Sequence, residues 1–409
     1  MSQIPPYIRR YEQYGFGLFL HWGLYSQIGQ GEWYWNYHKP AKADYVKLAD
    51  TFTAEDFDAD ALVRWARGNG VRYICLTTRH HEGFSLYDTR GLNEYDAPHS
   101  AAGRDLVKEF SDACDRHGMG KFFYHTTLDW WHENFDGDWD AYQQYLRDSV
   151  EILCTHYGKV DGLWFDGNWS KPDRDWQEDA LYTMIRSHQP ECMIVNNSSI
   201  QAVGAEGHPM TDVITFEQGD AEQKTSGSRY RALEVCDTMN SHWGIGDFDL
   251  SYHSPADVVQ RLVNCRKVGA NLLMNIGPTA QGGIPAYEKA VFDLVGRWIG
   301  ICPEALTKAR PCDLAVPERD VVLSDASSYY YFCHDLEIHG NEHLSAGGKK
   351  TGWRKLEGEL ARVTSVRWAD NNEELEFEKE GGTLKFKTTP YPYGKQLTVR
   401  IAVISTDSA

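Results

Sequence analysis

Eight short apolar runs, separated by amphipathic helical patterns along the first 305 residues, constrain the fold of this sequence most strongly. Most of the runs are nearly continuous in apolar residues, as expected for parallel strands that are buried on both faces. They are Gly17–Trp22, Tyr73–Thr78, Lys121–Thr126, Gly162–Asp166, Cys192–Asn196, Val213–Glu217, Leu233–Thr238 and Asn271–Ile276. Eight strands joined by right-handed crossovers predict an α/β fold, a (β/α)8-like barrel of the TIM type.

Two connections do not resemble helices. Residues 198–211 and 218–231 are rich in Gly, Ser and charged residues, so we expect the barrel to be irregular around strands five to seven. A doubly wound open sheet is the alternative, but no glycine-rich nucleotide motif supports a nucleotide-binding version of it.

The pattern changes after about residue 310, where short strand-like runs alternate with Gly, Asn, Asp and Pro. This pattern predicts a C-terminal antiparallel β-sandwich. We therefore predict a barrel domain over residues 1–308 and a sandwich domain over residues 309–409. The sandwich has either a structural or a sugar-binding role, and the lack of an aromatic run favours the structural one.

Composition excludes several classes of function. A formal net charge of −18 disfavours binding to nucleic acid or to an anionic membrane. The nine cysteines show no C-x-x-C spacing and lie mostly in apolar runs, which indicates buried thiols. The N-terminus has no apolar signal region, so we expect a cytoplasmic protein. Aromatic residues make up 13% of the chain, which fits either core packing or a carbohydrate site.

Polar residues gather at the ends of the predicted strands. Catalytic side chains of a barrel project from the C-terminal ends of its strands, so this distribution predicts one shared site. The residues are His21, His80, His81, Tyr124, Asp166, Asn196, Asn197, Glu217, Glu234 and Asn275.

Asp166 is the most informative of these residues. It follows Gly-Leu-Trp-Phe and precedes Gly167, so its carboxylate is costly to bury without partners. It is either a structural residue or one of the two carboxyl groups that hydrolysis of a glycoside requires. Glu217 and Glu234 are the candidates for the second group, and the apolar flank of Glu217 favours a raised pKa there.

The adjacent pair His80 and His81 does not indicate a metal site. Zinc sites on helices use H-E-x-x-H, which is absent, and neighbouring strand residues point to opposite faces. We expect one histidine to face the mouth of the barrel and the other its wall, with no metal ion and no cofactor.

Five segments together resemble the α-L-fucosidases of glycoside hydrolase family 29. They are Gly15–Ser26 with its Phe-Leu-His-Trp-Gly sequence, Glu32–Tyr34, Leu76–Phe84 with the paired histidines, Leu163–Gly167 and Gly269–Pro278. The resemblance covers residues 10–300. It implies a retaining exo-α-L-fucosidase that removes terminal α-L-fucose from glycans or glycoconjugates through a covalent intermediate.

The resemblance also assigns roles. It implies that Asp166 is the nucleophile and favours Glu217 as the acid/base, with Glu234 as the alternative. It further implies that the fucose pocket is lined by His21, Glu32, Trp33, His80, His81, Tyr124 and Trp164.

One departure from the family affects substrate binding. The fifth strand ends Val-Asn-Asn197-Ser198, where Val-Asn-Asp-Arg is common in the family. Either Arg229 or Arg231 replaces the missing arginine, or that contact with the sugar is lost. Two alternative functions follow: a catalytically silent fucose-binding protein, and a glycosidase for a related sugar such as α-L-galactose.

Overall fold

Eight parallel strands form one sheet in the computed structural model of this protein, which describes residues 4–197, 202, 204–222, 229–317, 319–339 and 351–407. The strands are β1 (Phe16–Leu20), β2 (Tyr73–Arg79), β3 (Gly120–Thr126), β4 (Gly162–Asp166), β5 (Met193–Asn196), β6 (Val213–Glu217), β7 (Ala232–Asp237) and β8 (Asn271–Ile276). Their order is β5-β4-β3-β2-β1-β8-β7-β6, so β1 pairs with β8 and the sheet curves into a nearly closed barrel. The predicted fold class is confirmed.

The barrel is open between β5 and β6, which are the two ends of the sheet order. Asp212 bridges this seam. Its backbone N–H donates to the Ile194 carbonyl at 2.8 Å, and its Oδ2 accepts the Ile194 N–H at 2.9 Å. Its carboxylate also accepts hydrogen bonds from Arg186 and Arg229. The fully buried Asp212, whose carboxylate pairs with two arginines, therefore joins β5 and β6, which are not paired by a β-ladder.

Helices connect most of the strands. They are α1 (Pro6–Glu12), α2 (Tyr34–His38), α3 (Lys42–Tyr45), α4 (Ala59–Gly68), α5 (Leu106–His117), α6 (Trp139–His156), α7 (Glu178–His188), α8 (Pro255–Lys267), α9 (Ala286–Ile299) and α10 (Glu304–Thr307). Asp58, Asp105 and Asp138 cap α4, α5 and α6 by accepting a backbone N–H in the first turn. Among the described residues no helix follows β5 or β6, as the sequence predicts for this side of the barrel.

The barrel interior is filled by alternate residues of each strand, and large rings lie opposite glycines. Phe122 pairs in register with Gly162, and Tyr73 pairs with both Gly17 and Gly120. The same alternation continues upward to Tyr124 in β3, Trp164 in β4 and Val195 in β5. Helix α1 adds Ile8 and Tyr11 to this core. The period of two therefore decides which side chains reach the C-terminal end of the barrel from inside.

The C-terminal strands form two antiparallel sheets. The strands are β9 (Arg310–Pro311), β10 (Val321–Ser324), β11 (Ser328–Cys333), β12 (Trp353–Glu357), β13 (Val363–Trp368), β14 (Phe377–Glu380), β15 (Thr383–Lys387) and β16 (Arg400–Thr406). One sheet has the order β13-β16-β11-β10-β9 and the other β12-β15-β14. Both contribute to a single core that contains Trp368 and Phe386, so the predicted sandwich is confirmed. The sequence pattern missed β9 and β12.

The chain divides into two compact units. The first comprises Met1–Tyr252 and Asn271–Ala290, and the second His253–Ala270 and Val291–Ala409. Helix α8 belongs to the second unit, where it packs against β9 and β10. Spatial proximity does not by itself define an independently folding domain. The domain limit after residue 308 therefore stays a prediction.

All nine cysteines are free thiols, and eight of them are buried. Over the part of the chain that the structure describes, no helix is both long and apolar enough to cross a bilayer.

The contact between Gly162 and Phe122 gives a test of the barrel packing. A Cβ atom at position 162 would lie 2.0 Å from Cε1 of Phe122, inside a closed layer of rings. We expect Gly162→Ala to lower the free energy of unfolding by about 1–3 kcal/mol through overpacking. Gly68→Ala is the matched control, since a Cβ there meets nothing within 4 Å. Chemical denaturation measures both, and equal stabilities of the two variants would contradict the packing described.

Candidate active site

A pocket of about 230 Å³ lies at the C-terminal ends of the barrel strands. It brings together every sugar-binding residue named from the sequence, together with Asp166 and Glu217. Its walls are Phe19, His21, Glu32, Trp33, His80, His81, Tyr124, Trp164, Asp166, Trp169, Asn197, Glu217 and Trp243. Twelve of these thirteen side chains carry a hydrogen-bonding group, and several of them also present an aromatic face, so the pocket suits a ligand with several hydroxyl groups and one apolar face.

Asp166 ends β4 and receives hydrogen bonds on both carboxylate oxygens. Oδ2 accepts from the Tyr124 hydroxyl at 3.1 Å and lies 3.5 Å from Nε2 of His81. Oδ1 accepts from Nε1 of Trp169 at 2.8 Å and from Nδ2 of Asn197 at 3.4 Å. Four side chains from separate parts of the barrel thus compensate the burial of this carboxylate.

Gly167 allows the chain to turn directly after Asp166. Its φ is +123°, and a Cβ atom there would lie 2.4 Å from the backbone nitrogen of Leu128. A side chain at this position would be strained by the backbone and blocked by the neighbouring loop. The Asp-Gly pair in the sequence therefore has a local structural cause.

His81 contacts Asp166 on one side and Thr126 on the other. Its Nδ1 lies 2.7 Å from Oγ1 of Thr126, whose hydroxyl donates to the Leu128 carbonyl. Its Nε2 lies 3.5 Å from Oδ2 of Asp166. The Thr126 contact therefore orients the ring that faces the Asp166 carboxylate.

Glu217 ends β6 and is joined to Asp166 through Asn197. Nδ2 of Asn197 donates to Oε2 of Glu217 at 2.6 Å as well as to Oδ1 of Asp166. The two acceptor oxygens therefore lie at most about 6 Å apart, the sum of these two distances. This limit is compatible with the roughly 5–5.5 Å between the carboxyl groups of retaining glycosidases.

The two carboxyl groups have opposite pKa shifts. Burial raises the pKa of Asp166, but the hydrogen bond and charge of His81, with hydrogen bonds from Trp169 and Tyr124, bring it below its ordinary value. Burial and the negative charge of Asp166 raise the pKa of Glu217 to about 7. Near neutral pH the site therefore holds one ionised carboxylate beside one carboxylic acid that can give up its proton.

Glu234 lies inside the barrel and not on the wall of the pocket. Its carboxylate accepts hydrogen bonds from the hydroxyls of Tyr11 and Tyr73 and, at 2.8 Å, from Nε1 of Trp164. Burial raises its pKa. The alternative sequence assignment of Glu234 as acid/base does not fit this position, because the carboxyl group sits beneath the Trp164 indole and orients that ring from below.

His21 offers a hydrogen-bond acceptor to the pocket. Its Nδ1 donates to Oδ1 of Asn275 at 2.7 Å, and the Asn275 amide is oriented by donating to the Trp243 carbonyl at 2.6 Å. Burial lowers the pKa of His21 to about 3, so the ring is neutral and Nε2 carries a lone pair. Such a nitrogen can accept a hydrogen bond from a sugar hydroxyl.

His80 and His81 both line the pocket, so the prediction that one of them faces the barrel wall is wrong. Strand β2 ends at Arg79, and the alternation of strand side chains does not extend past it. The two rings lie 4.1 Å apart, and burial lowers the pKa of His80 well below its ordinary value. The His80 ring that lines the pocket is therefore neutral.

Glu32 reaches the pocket from the loop after β1. Its Oε2 accepts the backbone N–H groups of Trp243 and Gly244, at 3.2 and 2.7 Å, which ties two loops together. Trp33, the next residue, stacks on Trp169 with ring centroids 5.8 Å apart. These contacts hold together loops that the sequence separates by more than 100 residues.

Neither Arg229 nor Arg231 takes the place of the missing arginine. Arg229 pairs with Asp212 at the start of β6, and Arg231 donates to Glu206 at 2.9 Å. Both arginines lie at the N-terminal ends of the strands, away from the pocket wall. Ser198, the position of the family's arginine, lies outside the described residues.

Three wall residues, Phe19, Trp169 and Trp243, were not named from the sequence, and Asn197 was named only as a polar strand end without a role in the sugar pocket. Phe19 precedes His21 by two residues in β1, and Asn197 follows Val195 by two, so the strand period could have found both. Trp169 stands three residues after Asp166 in a short helical turn. Trp243 lies in an irregular loop after β7, for which the sequence carries no periodic signal. No group of three or more His, Cys, Asp or Glu suited to a metal ion occurs within the described ranges.

Known proteins similar to this chain are α-L-fucosidases. A family model described as alpha-L-fucosidase matches residues 3–304. A putative α-L-fucosidase of Caenorhabditis elegans is 28% identical over 330 residues, covering 74% of this chain and 67% of the relative. The structure of α-L-fucosidase isoenzyme 1 from Paenibacillus thiaminolyticus superposes with a TM-score of 0.83 at 26% identity, covering 98% and 99% of the two chains.

A third comparison concerns the fold alone. The structure of a family 29 α-L-fucosidase from Bacteroides thetaiotaomicron, trapped as a covalent intermediate, has a TM-score of 0.83 at 19% identity and covers 98% of this chain and 96% of its own. The barrel and the C-terminal sheets thus recur in a solved fucosidase structure. From the family match over most of its length, the chain belongs to the α-L-fucosidase family of glycoside hydrolases.

Proposed function

We propose that this protein is an exo-acting α-L-fucosidase that hydrolyses terminal α-L-fucosides with retention, using Asp166 as nucleophile and Glu217 as acid/base. The observation that carries the proposal is the pair of carboxyl groups joined by Asn197, at most about 6 Å apart and with opposite pKa shifts. An ionised carboxylate and a protonated acid at this separation are the two groups that double displacement requires.

The reaction proceeds in two steps. In the first, an oxygen of Asp166 forms a bond to the anomeric carbon while Glu217 gives its proton to the departing glycosidic oxygen. Esterification then removes the negative charge of Asp166, which is one cause of the raised pKa of Glu217. The pKa of Glu217 falls, so the ionised group accepts a proton from water as the water attacks the anomeric carbon. Fucose leaves with its original configuration, and Asp166 is free again.

The remaining wall residues recognise the sugar. His21 and His80 are neutral rings with an accepting nitrogen available for hydroxyl groups, and the Glu32 carboxyl group adds a further acceptor. Phe19, Tyr124 and Trp164 pack against one another and present apolar surface to the C5 methyl group. A pocket of about 230 Å³ favours one terminal residue over an internal one.

Removal of the nucleophile tests the reaction class. We expect Asp166→Ala to reduce kcat for an aryl α-L-fucoside by at least about 10⁴-fold, since no other group can form the covalent intermediate. Added azide should restore turnover and give the inverted β-L-fucosyl azide. Near-parental activity of this variant would contradict the assignment. The aryl α-L-galactoside, tested in parallel on the parent enzyme, distinguishes fucose from the related sugar.

The opposite pKa shifts predict the pH dependence of kcat/KM. The nucleophile must be ionised, and its lowered pKa keeps the acid limb below the ordinary range of aspartate. Glu217 must be protonated in the first step, so activity falls as the pH rises through about 7. Glu217→Gln should abolish this alkaline limb and leave a low, flat rate. A parent enzyme whose activity keeps rising above pH 8 would exclude Glu217 as the acid.

Azide rescue separates Glu217 from Glu234. We expect Glu217→Ala to lose about 10²–10⁴-fold in kcat/KM on substrates with poor leaving groups. Azide should accelerate it on an activated aryl fucoside and give the retained α-L-fucosyl azide. Glu234→Gln keeps a side chain of the same shape beneath Trp164, so we expect no azide effect in that variant. Rescue of the Glu234 variant alone would reverse the assignment.

A further inference from the structure

We propose that Asn197 is a positioning residue for general acid/base catalysis, fixing the proton of Glu217 on the oxygen that faces the leaving group. This inference rests on the proposed function and adds a residue to it. One amide nitrogen, Nδ2 of Asn197, donates to Glu217 at 2.6 Å and to Asp166 at 3.4 Å. The side chain is 3% exposed. Asn197 thus contacts both carboxyl groups, those of Asp166 and Glu217, across the open seam between β5 and β6.

Thr215 determines which way the Asn197 amide faces. Its Oγ1 donates to Oδ1 of Asn197 at 3.4 Å from the interior of β6, two residues before Glu217. The Asn197 carbonyl oxygen therefore accepts a hydrogen bond from Thr215, and the two N–H groups of Nδ2 face Asp166 and Glu217. Thr215 is fully buried, so water does not compete for this contact.

The donated hydrogen bond selects the protonated oxygen of Glu217. In a carboxylic acid the carbonyl oxygen is the better acceptor and the hydroxyl oxygen carries the proton. Because Oε2 accepts from Asn197, the acid proton resides on Oε1. Rotation of the carboxyl group would break a 2.6 Å hydrogen bond, so the proton is held in one position.

The same hydrogen bond opposes the other influences on Glu217. Burial raises its pKa most, and the negative charge of Asp166 raises it further, whereas the Asn197 hydrogen bond lowers it. Within the described residues, Glu32 and Asp237 also raise the pKa of Glu217, and Glu217 in turn raises the pKa values of Tyr124 and Cys236. Asn197 is therefore a neutral donor beside several acidic groups.

An aspartate at this position would have the opposite effect. By the resemblance drawn from the sequence, Asp followed by an arginine is common where this chain has Asn197 and Ser198. An ionised carboxylate offers no proton to Glu217 and would add a third negative charge at the same separation. With no arginine following it in the sequence, a neutral amide meets the need for a donor without that charge.

Kinetics of Asn197→Ala and Asn197→Asp test this proposal. We expect both variants to shift the alkaline limb of kcat/KM to higher pH. We also expect a loss of about tenfold or more on a phenyl α-L-fucoside, whose leaving group needs the acid, and a much smaller loss on the 2-chloro-4-nitrophenyl fucoside. Asn197→Asp should regain activity as the pH falls, since its protonated form can donate. Thr215→Val should show the same changes more weakly.

Asn196→Ala is the matched control. The sequence pattern predicts Asn196 among the polar strand ends of the shared site, but that prediction is wrong: the residue is buried and faces out of the barrel, where it donates to Glu178 at 3.0 Å and to the Tyr182 hydroxyl at 2.9 Å. We expect it to lower Tm while keeping the parental pH profile and leaving-group dependence. If azide rescues Glu217→Ala but Asn197→Ala keeps both parental profiles, the inference is overturned and the proposed function stands. If azide fails to rescue Glu217→Ala, the proposed function itself fails.

Discussion

The buried charge of Asp166 is the interaction on which the rest of the site depends. A carboxylate at the end of an interior strand loses most of its hydration, and only donors from the protein can replace it. His81, Tyr124, Trp169 and Asn197 supply those donors from four different parts of the barrel. Each donor also lines the pocket, so the same four side chains stabilise the charge and form part of the wall of the sugar site.

The charge of Asp166 also sets the chemistry of its neighbour. Burial raises the pKa of Glu217 most, and the negative charge of Asp166 raises it further, to about 7. When Asp166 is esterified in a covalent intermediate, its negative charge is absent and the pKa of Glu217 falls. The two carboxyl groups are thus coupled, and the coupling depends on a separation that Asn197 spans with one nitrogen.

The open seam between β5 and β6 gives this arrangement its geometry. At the lower end Asp212 joins the strands through Ile194 and two arginines, and at the upper end Asn197 meets Glu217. A regular barrel would join these strands by a backbone ladder along their length. Here the backbone and side chain of Asp212 make the connection at the lower end, and the side chains of Asn197 and Glu217 make it at the upper end.

Much of the fold was predictable from the sequence because its signals are local. Continuous apolar runs marked the eight strands to within two residues, and the predicted absence of helices after β5 and β6 followed from composition. The short strands β9 and β12 were missed, since neither has an alternating pattern of its own. The histidine pair was misjudged because β2 ends one residue before it, a boundary that the sequence does not mark.

The sequence by itself determined the strand order along the chain, the polar residues at the strand ends and the resemblance of its motifs to α-L-fucosidases. Those properties depend on residue type, spacing and period. Only the tertiary structure decided between Glu217 and Glu234 as the carboxyl group that faces the pocket, because both follow apolar residues in neighbouring strands. Glu217 is the last residue of β6, whereas Glu234 lies in mid-strand beneath Trp164. The position of a side chain along the barrel axis depends on the register between neighbouring strands. The sequence of one strand does not specify that register.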